Sequence, residues 1–448
     1  MSYKKSAYIV KAFNKDGELI IKNTLTQKIL KAHPEHISDV ENALNRSYEG
    51  VEILEGIPEK LYQNGFIIEG NVDEDLIVDY TFNQYSYGSN ILELTVLPTN
   101  ACNFDCVYCY QKEPYFCMTD HTVDNLIKFI EKHINEYSGL LISWFGGEPL
   151  LAKKIIIQVM DRVRDICRKN KKPFYSSITT NGYELDLSTF ESLVANHVRF
   201  FQITVDGPKD IHNRQRPHKT KPDSFETIMR NLTDIKRTMT KHRFIIAVRV
   251  NVSSSLRSYL NEFIEFLYTQ FGNDKHFTIV WEFIRDWGGD KIENNKDLMM
   301  DHKLSNQWLD TLSNKGFEIN KGFARNNISE SLCTASKKNG FVINHDGGVY
   351  KCAMVVENEE MKAINRIGYI TSDGDMSLDL SKMVKWLGRD PVDKECVKCQ
   401  HYPECMGVSC PLSTRILKNP KHCSETFIDD YEMILRNVDA INNIEYVV

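Results

Sequence analysis

Three cysteines stand within eight residues, Cys102, Cys106 and Cys109, with C-x3-C-x2-C spacing at the end of the alternating apolar run Leu92-Glu-Leu-Thr-Val-Leu97. Thiolates are soft metal ligands, and three on one short loop make a metal site the first expectation. They suit three irons of a cubane [4Fe–4S] cluster, with the fourth iron left open to a small molecule. No nearby histidine or fourth cysteine closes a tetrahedral zinc site, although a zinc knuckle or a set of buried thiols stands as the plainer reading.

Cysteines return near the end of the chain. Cys333 and Gly347-Gly-Val-Tyr-Lys-Cys352 give C-x13-G-x4-C, Cys396, Cys399, Cys405 and Cys410 give C-x2-C-x5-C-x4-C, and Cys423 follows. Seven thiols on a loop-rich stretch fit two structural zinc sites or two further clusters. Of the twelve cysteines, Cys117 and Cys167 are left over, the latter in a helical pattern as a small core residue.

At 448 residues, two or three domains are expected. The formal net charge of −6 gives no global reason for a nucleic-acid or membrane partner, and Arg214-Gln-Arg-Pro-His-Lys-Thr-Lys221 reads as a solvated loop. The amino terminus lacks the apolar stretch of a signal peptide, and no run approaches the eighteen apolar residues of a membrane span. A cytoplasmic location is therefore expected, where twelve cysteines point to metal rather than disulfides.

The elements that must position the first thiols are clear. Candidate strands over 92–97, 139–145, 174–179, 199–205, 244–252 and 277–283 alternate with amphipathic helices, as in Val123, Leu126, Ile127, Ile130 and Ile134, then Ile155, Val159, Val163 and Ile166. Such alternation predicts an α/β fold with a parallel sheet, here a partial (β/α)6 barrel over 89–290, whose chemistry gathers in loops after the strands. After the second strand comes Ser143-Trp-Phe-Gly146-Gly147-Glu148, two glycines that allow close approach to bare backbone and a carboxylate that can accept from an ammonium. After the third comes Thr179-Thr180-Asn181-Gly182, which is either a ligand contact or a plain turn. After the fourth comes Thr204-Val-Asp206-Gly207, leading to Arg214 and Arg216. Arg249, Asn251, Glu282 and Arg285 are either structural or channel-lining.

Ahead of the barrel, residues 1–88 read as a small winged-helix-like module. Strands over 8–13 and 18–23 and helices over 37–43 and 57–63 precede a hairpin that joins Phe66–Glu69 to Asp75–Val78. Residues 291–330 read as a bridge. A capping helix is expected over 427–448, with Ile428, Tyr431, Ile434 and Leu435 on one face.

The cysteine loop and the Gly146-Gly147-Glu148 motif in this setting resemble the radical SAM superfamily, and the later cysteines, over 331–426, resemble its SPASM domain. The resemblance implies that Cys102, Cys106 and Cys109 hold the cluster whose open iron binds S-adenosylmethionine. Tyr108 would then lie by the adenine, Gly146, Gly147 and Glu148 by the methionyl group, Thr204 by the ribose, and Arg216 opposite the carboxylate, with Arg214 as its alternative. It also implies two auxiliary [4Fe–4S] clusters, for three in all: one on Cys396, Cys399, Cys405 and Cys423, the other on Cys333, Cys352 and Cys410. The Cys405–Cys410 spacing is one residue longer than usual in that family, and no cysteine stands shortly before Cys333 to complete the second set.

What the resemblance implies is an enzyme that cleaves S-adenosylmethionine to a 5′-deoxyadenosyl radical and oxidatively cross-links a ribosomally made precursor peptide through a thioether or carbon–carbon bond. The N-terminal module resembles domains that bind a leader peptide as an added strand, and the electron would come from a low-potential flavodoxin or ferredoxin. The alternative within the family is an anaerobic sulfatase maturase forming formylglycine, although those enzymes place an aspartate where this chain has Ala353. The alternative of another class is a non-catalytic zinc-binding regulator.

Overall fold

The computed structural model describes residues 2–111, 115–272, 274–284, 290–299, 333–387, 398–405, 410–418 and 444–447. Cys396, Cys423, Arg285, most of the expected bridge and positions 427–443 of the expected capping helix lie outside them. The chain divides into two compact units, one of residues 1–88, 302–337 and 387–448, the other of 89–301 and 338–386.

In the first unit, β1 (Ser2–Lys5) lies between β5 (Tyr48–Glu49) and β6 (Ile67–Glu69), and β2 (Ile9–Phe13), β3 (Leu19–Asn23) and β4 (Ile29–Ala32) form a meander. Helices α1 (Ile37–Asn45) and α2 (Ile57–Gln63) close a core of Ile21, Leu30, Val40, Leu44, Leu61 and Phe66. The expected hairpin over 66–78 is corrected. Ile67–Glu69 pairs with β1, and Asp75–Val78 lies in helix α3 (Glu74–Tyr87). Asp73 caps that helix by accepting from Leu76 N–H at 3.1 Å, and Glu74 and Asp75 stand in its first turn, where the helix dipole favours acid. Val78, Phe82 and Ser86 then bury one stripe at intervals of four. A second correction concerns the tail: Glu445–Tyr446 is a strand parallel to β4, so the described end of the expected capping helix is extended.

Late residues also pack into this unit. Lys22 on β3 meets Glu404 at 2.6 Å with both side chains under a tenth exposed, Thr24 Oγ1 donates to Gln400 O at 2.5 Å, and Tyr402 and Cys399 join Tyr8 and Val78.

In the second unit, β7 (Ile91–Val96), β8 (Gly139–Trp144), β9 (Phe174–Thr180), β10 (Val198–Thr204), β11 (Ile245–Val252) and β12 (Phe277–Phe283) are parallel and adjacent in chain order. Each is joined to the next through helix, including α4 (Asp120–His133), α5 (Lys153–Lys169), α6 (Leu187–Ala195), α7 (Lys209–Gln215), α8 (Ser224–Thr238) and α9 (Leu260–Phe271). This is the open barrel expected, because each apolar stripe must return to the sheet and parallel strands need long crossovers. Val123, Leu126, Ile127, Ile130 and Ile134 are all fully buried. In α5, Ile156 rather than the half-exposed Ile155 starts the buried stripe.

The sheet continues past β7. There β13 (Gly340–Ile343) pairs in parallel with it, and β14 (Gly348–Tyr350), β15 (Arg366–Ile370) and β16 (Met376–Leu378) add antiparallel strands. Leu97 packs with Val342, Tyr350 and Val356, so the strands around Cys352 share a core with the end of β7. No described helix is long and apolar enough to cross a membrane.

Removing one member of a buried ion pair strands the other charge. Lys22→Ala is expected to cost the first unit about 3–5 kcal/mol by denaturant unfolding, and Lys22→Met combined with Glu404→Leu far less. A loss of about 0.5 kcal/mol or less for Lys22→Ala would show the pair to be inert.

Candidate active site

The loop after β7 carries the three cysteines and is closed at its base. Thr99 Oγ1 donates to Phe116 O at 2.6 Å, Met118 N–H donates to Pro98 O at 2.8 Å, and Thr99 pairs with Cys117 as a bridge. Its outer side is laced to the end of α7 and the segment after it: Val107 N–H donates to Gln215 O at 3.0 Å, Asp105 N–H to Pro217 O at 2.8 Å, and Lys219 N–H to Asn103 O at 2.8 Å. Within the loop, Phe104 N–H points at Cys102 Sγ (3.4 Å) and Cys109 N–H at Cys106 O (3.1 Å).

Cys106 is buried, Cys102 and Cys109 are half-buried, and none is in a disulfide. Loss of water pushes the Cys102 thiol up to about 11, helped by Glu148, and the Cys106 thiol up to about 12. Thiols so disfavoured as free thiolates are poor nucleophiles, but a cationic centre reverses the preference by taking the charge. Among the described residues no three His, Cys, Asp or Glu side chains converge on a site for one ion. A cubane takes its thiolates one per iron, and three thiols on one loop suit three of its irons.

The two glycines let this loop touch the one after β8. Gly146 sits at φ +120°, and a Cβ there would stand 2.4 Å from Thr99 O; on Gly147 it would stand 2.2 Å from Ala101 O. Glu148 N–H donates to Ala101 O at 2.7 Å. The bare backbone anticipated for a ligand is, on this side, pressed against the cysteine loop. The Glu148 carboxylate is fully buried and accepts from Thr180 Oγ1 (2.7 Å), Asn181 N–H (2.7 Å) and Leu150 N–H (2.9 Å). Three of about four acceptor positions are thereby taken by the protein's own donors rather than by an ammonium. Burial raises its pKa to about 6 against these bonds.

Across the strand ends lies a second polar group. Thr204 ends β10 and is buried, and Arg216 is buried while Arg214 is exposed, which separates the two candidate arginines. Arg216 Nη1 donates to Tyr108 Oη at 2.6 Å, and Asn251 Nδ2 donates to the same oxygen at 3.1 Å. Tyr108 in turn donates to Asp206 Oδ2, whose other oxygen accepts Asn251 N–H at 2.9 Å. Arg216 Nε is buried and has no hydrogen-bond partner among the described residues. A buried, undonated guanidinium N–H is what a carboxylate ligand completes, so the chemistry of S-adenosylmethionine fits here.

Asp206 and Asn251 thus join Tyr108 and Arg216. The sequence signal for Asp206 was its place two residues past a strand end. Arg249 Nε donates to Asn251 Oδ1 at 2.9 Å, while Glu282 sits half-buried on β12.

Cys352 follows β14, its backbone held by Asn365 (Cys352 N–H to Oδ1 2.9 Å, Nδ2 to Cys352 O 2.8 Å). Loss of water raises the Tyr110 hydroxyl pKa, and the neighbouring Cys109 and Cys352 raise it further while Arg249 opposes them. The charges of a thiol of the first cysteine group and a thiol of the second thus both bear on one tyrosine hydroxyl. Cys333 and Cys410 belong to the other unit, where Cys333 is exposed and Cys410 half-buried; Cys399 is half-buried and Cys405 ends the turn Tyr402–Cys405.

Residues 96–253 match the model of the radical SAM superfamily. The chain is 24% identical over 347 residues to the cysteine-type anaerobic sulfatase-maturating enzyme of Clostridium perfringens (strain 13 / Type A), covering 70% of this chain and 88% of that protein. It is 21% identical over 436 residues to the radical SAM cyclopropyl synthase TigE of Paramaledivibacter caminithermalis, covering 90% of this chain and 86% of that one. The solved structure of histidine-tagged anSMEcpe with bound AdoMet matches with a TM-score of 0.60 at 22% identity, over 79% of this chain and 100% of that one, a likeness of fold.

Glu148 binds its proton more tightly folded than unfolded, so folded stability falls as pH rises from about 4.5 through about 6. The loss attributable to this group is about 2 kcal/mol. Unfolding of metal-free protein across that window is expected to show a steeper decline for wild type than for Glu148→Gln; equal slopes would mean that the carboxylate is not the buried acid drawn above.

Proposed function

We propose that the chain, whose residues 96–253 are a radical SAM domain, oxidatively cross-links a ribosomally made precursor peptide. The observation that carries this reading is the place of Cys352 just after β14, on the sheet that continues from β7, where Leu97 at the root of the first cysteine loop packs with Tyr350, Val356 and Ala353. An enzyme whose product lacks two hydrogens passes one as an atom to the 5′-deoxyadenosyl radical; the other leaves the substrate as a proton and an electron, and a second metal centre is the means of taking up that electron.

Cys102, Cys106 and Cys109 hold the S-adenosylmethionine-binding cluster in this reading, Arg216 Nε meets the cofactor carboxylate, and Tyr108, Thr204 and Gly146-Gly147-Glu148 shape its seat. When bound, the cluster and cofactor together supply a low-potential electron and a 5′-deoxyadenosyl radical. The chain's own work is to seat the cofactor, exclude water from the strand ends, and hold the substrate C–H bond in reach. Cys333, Cys352 and Cys410, and separately Cys396, Cys399, Cys405 and Cys423, hold the auxiliary clusters. The module of residues 1–88 binds the leader peptide along a sheet edge, and a flavodoxin or ferredoxin delivers the electron.

Similarity to TigE over 90% of the chain supports the carbon–carbon form of the bond, since closing a cyclopropane also removes two hydrogens. The sulfatase-maturase reading rests on the similarity to the C. perfringens enzyme, and Ala353, where the resemblance to that family implies an aspartate, weighs against it.

Iron-loaded, reduced protein incubated with S-adenosylmethionine and a candidate precursor peptide is expected to lower the peptide mass by two hydrogens. Thiol alkylation then separates the bonds, because a thioether consumes a cysteine and a carbon–carbon bond does not. An unchanged mass for every small peptide encoded beside the enzyme would overturn peptide cross-linking, and a cysteine turned to formylglycine would replace it with the sulfatase-maturase reading.

A further inference from the structure

Asp206 has no role in the cofactor seat, yet it is as enclosed as Glu148. It is fully buried, its N–H donates to Nδ1 of the fully buried His212 at 3.2 Å, and its carboxylate accepts from Asn251 N–H and Tyr108 O–H. Its Oδ2 lies 3.8 Å from Arg216 Nη1, too far for a hydrogen bond. The Tyr108 hydroxyl stands between them with its single proton given to Asp206 and both lone pairs taken, by Arg216 and Asn251. It has no freedom left to turn.

This arrangement resolves a conflict. A direct bidentate salt bridge would saturate the guanidinium fork and compete with any ligand carboxylate, whereas a buried arginine with no counter-charge would carry a heavy desolvation cost. An aspartate acting through one tyrosine hydroxyl balances the cation, fixes one nitrogen of the fork and leaves Nε undonated. The Phe104 ring, 5.7 Å from the guanidinium carbon, backs the group from the cysteine loop.

We propose that Asp206 is a positioning residue for the cofactor: through Tyr108 it holds Arg216 with its Nε edge turned to the carboxylate of S-adenosylmethionine. This rests on the reading that Arg216 meets that carboxylate. Two opposed outcomes follow from its place. If Asp206 acts by orienting Arg216, removing its charge weakens binding; if its negative charge merely repels the incoming carboxylate, removing it tightens binding.

The test is equilibrium binding of S-adenosylmethionine to iron-loaded, unreduced holoenzyme by calorimetry, so that no turnover is needed. Wild type, Asp206→Asn, Tyr108→Phe and the double variant form one cycle, compared at equal iron content. Each single change is expected to raise the dissociation constant about tenfold or more, with the double variant no weaker than Tyr108→Phe alone, because both act along one path. After reduction, the change that saturating cofactor makes in the EPR signal of the cluster is expected to differ between Asp206→Asn and wild type, a signature that a general packing defect at equal iron content does not give. Unchanged or tighter binding by Asp206→Asn, or losses that add in the double variant, would overturn the proposal. If Asp206→Asn does not retain iron, Tyr108→Phe decides alone: undiminished affinity overturns the path through the hydroxyl, and weakened affinity supports it. Failure of wild type to bind the cofactor would instead remove the reading on which the proposal rests.

Discussion

The buried carboxylate of Glu148 ties together the strand ends on which the site depends. Its own N–H reaches back to Ala101 beside the first cysteine, and its side chain reaches forward to Thr180 and Asn181 at the end of β9. Three successive parallel strands are thus joined at their C-terminal ends by one residue. The contact demands glycines before it, since a side chain at 146 or 147 would enter the carbonyl oxygens of the cysteine loop. It also keeps an acid buried at a pKa of about 6, a cost that its three hydrogen bonds offset.

Around that tie the loops divide their labour. The cysteine loop is held from one side by the glycine loop and from the other by the backbone at Gln215, Pro217 and Lys219. The same segment brings Arg216 inward while Arg214 faces out, so the loop that locks the cysteines also delivers the cation. The order of the cysteine loop and the placing of the buried cation are coupled here by backbone hydrogen bonds. The late strands β13–β16 extend the same sheet and bring Cys352 to the edge of this region without a separate layer.

Much of this was legible in the residues. The six parallel strands fall within a residue or so of the alternating runs, because apolar strands between amphipathic helices leave little choice of partner. The meeting of Tyr108 with Arg216 depends on both standing in loops that follow strands. What could not be read is where short segments turn. Asp75–Val78 looks apolar enough for a strand, but the cap at Asp73 and the stripe Val78, Phe82, Ser86 make it helical. The strand Ser2–Lys5 and the pairing of Glu445–Tyr446 with β4 depend on partners far away in sequence, which no local pattern reports. The Glu148 carboxylate, expected to face a ligand, is held by donors on another strand, again a long-range fact.

The most direct measurement of the central claim is the formation of 5′-deoxyadenosine from S-adenosylmethionine by anaerobic, iron-loaded, reduced protein. Release of 5′-deoxyadenosine and methionine in equal amounts, abolished in Cys106→Ala, is the predicted result. Iron-loaded, reduced protein that leaves S-adenosylmethionine intact, or a Cys106→Ala variant that cleaves it as well as wild type, would contradict the account.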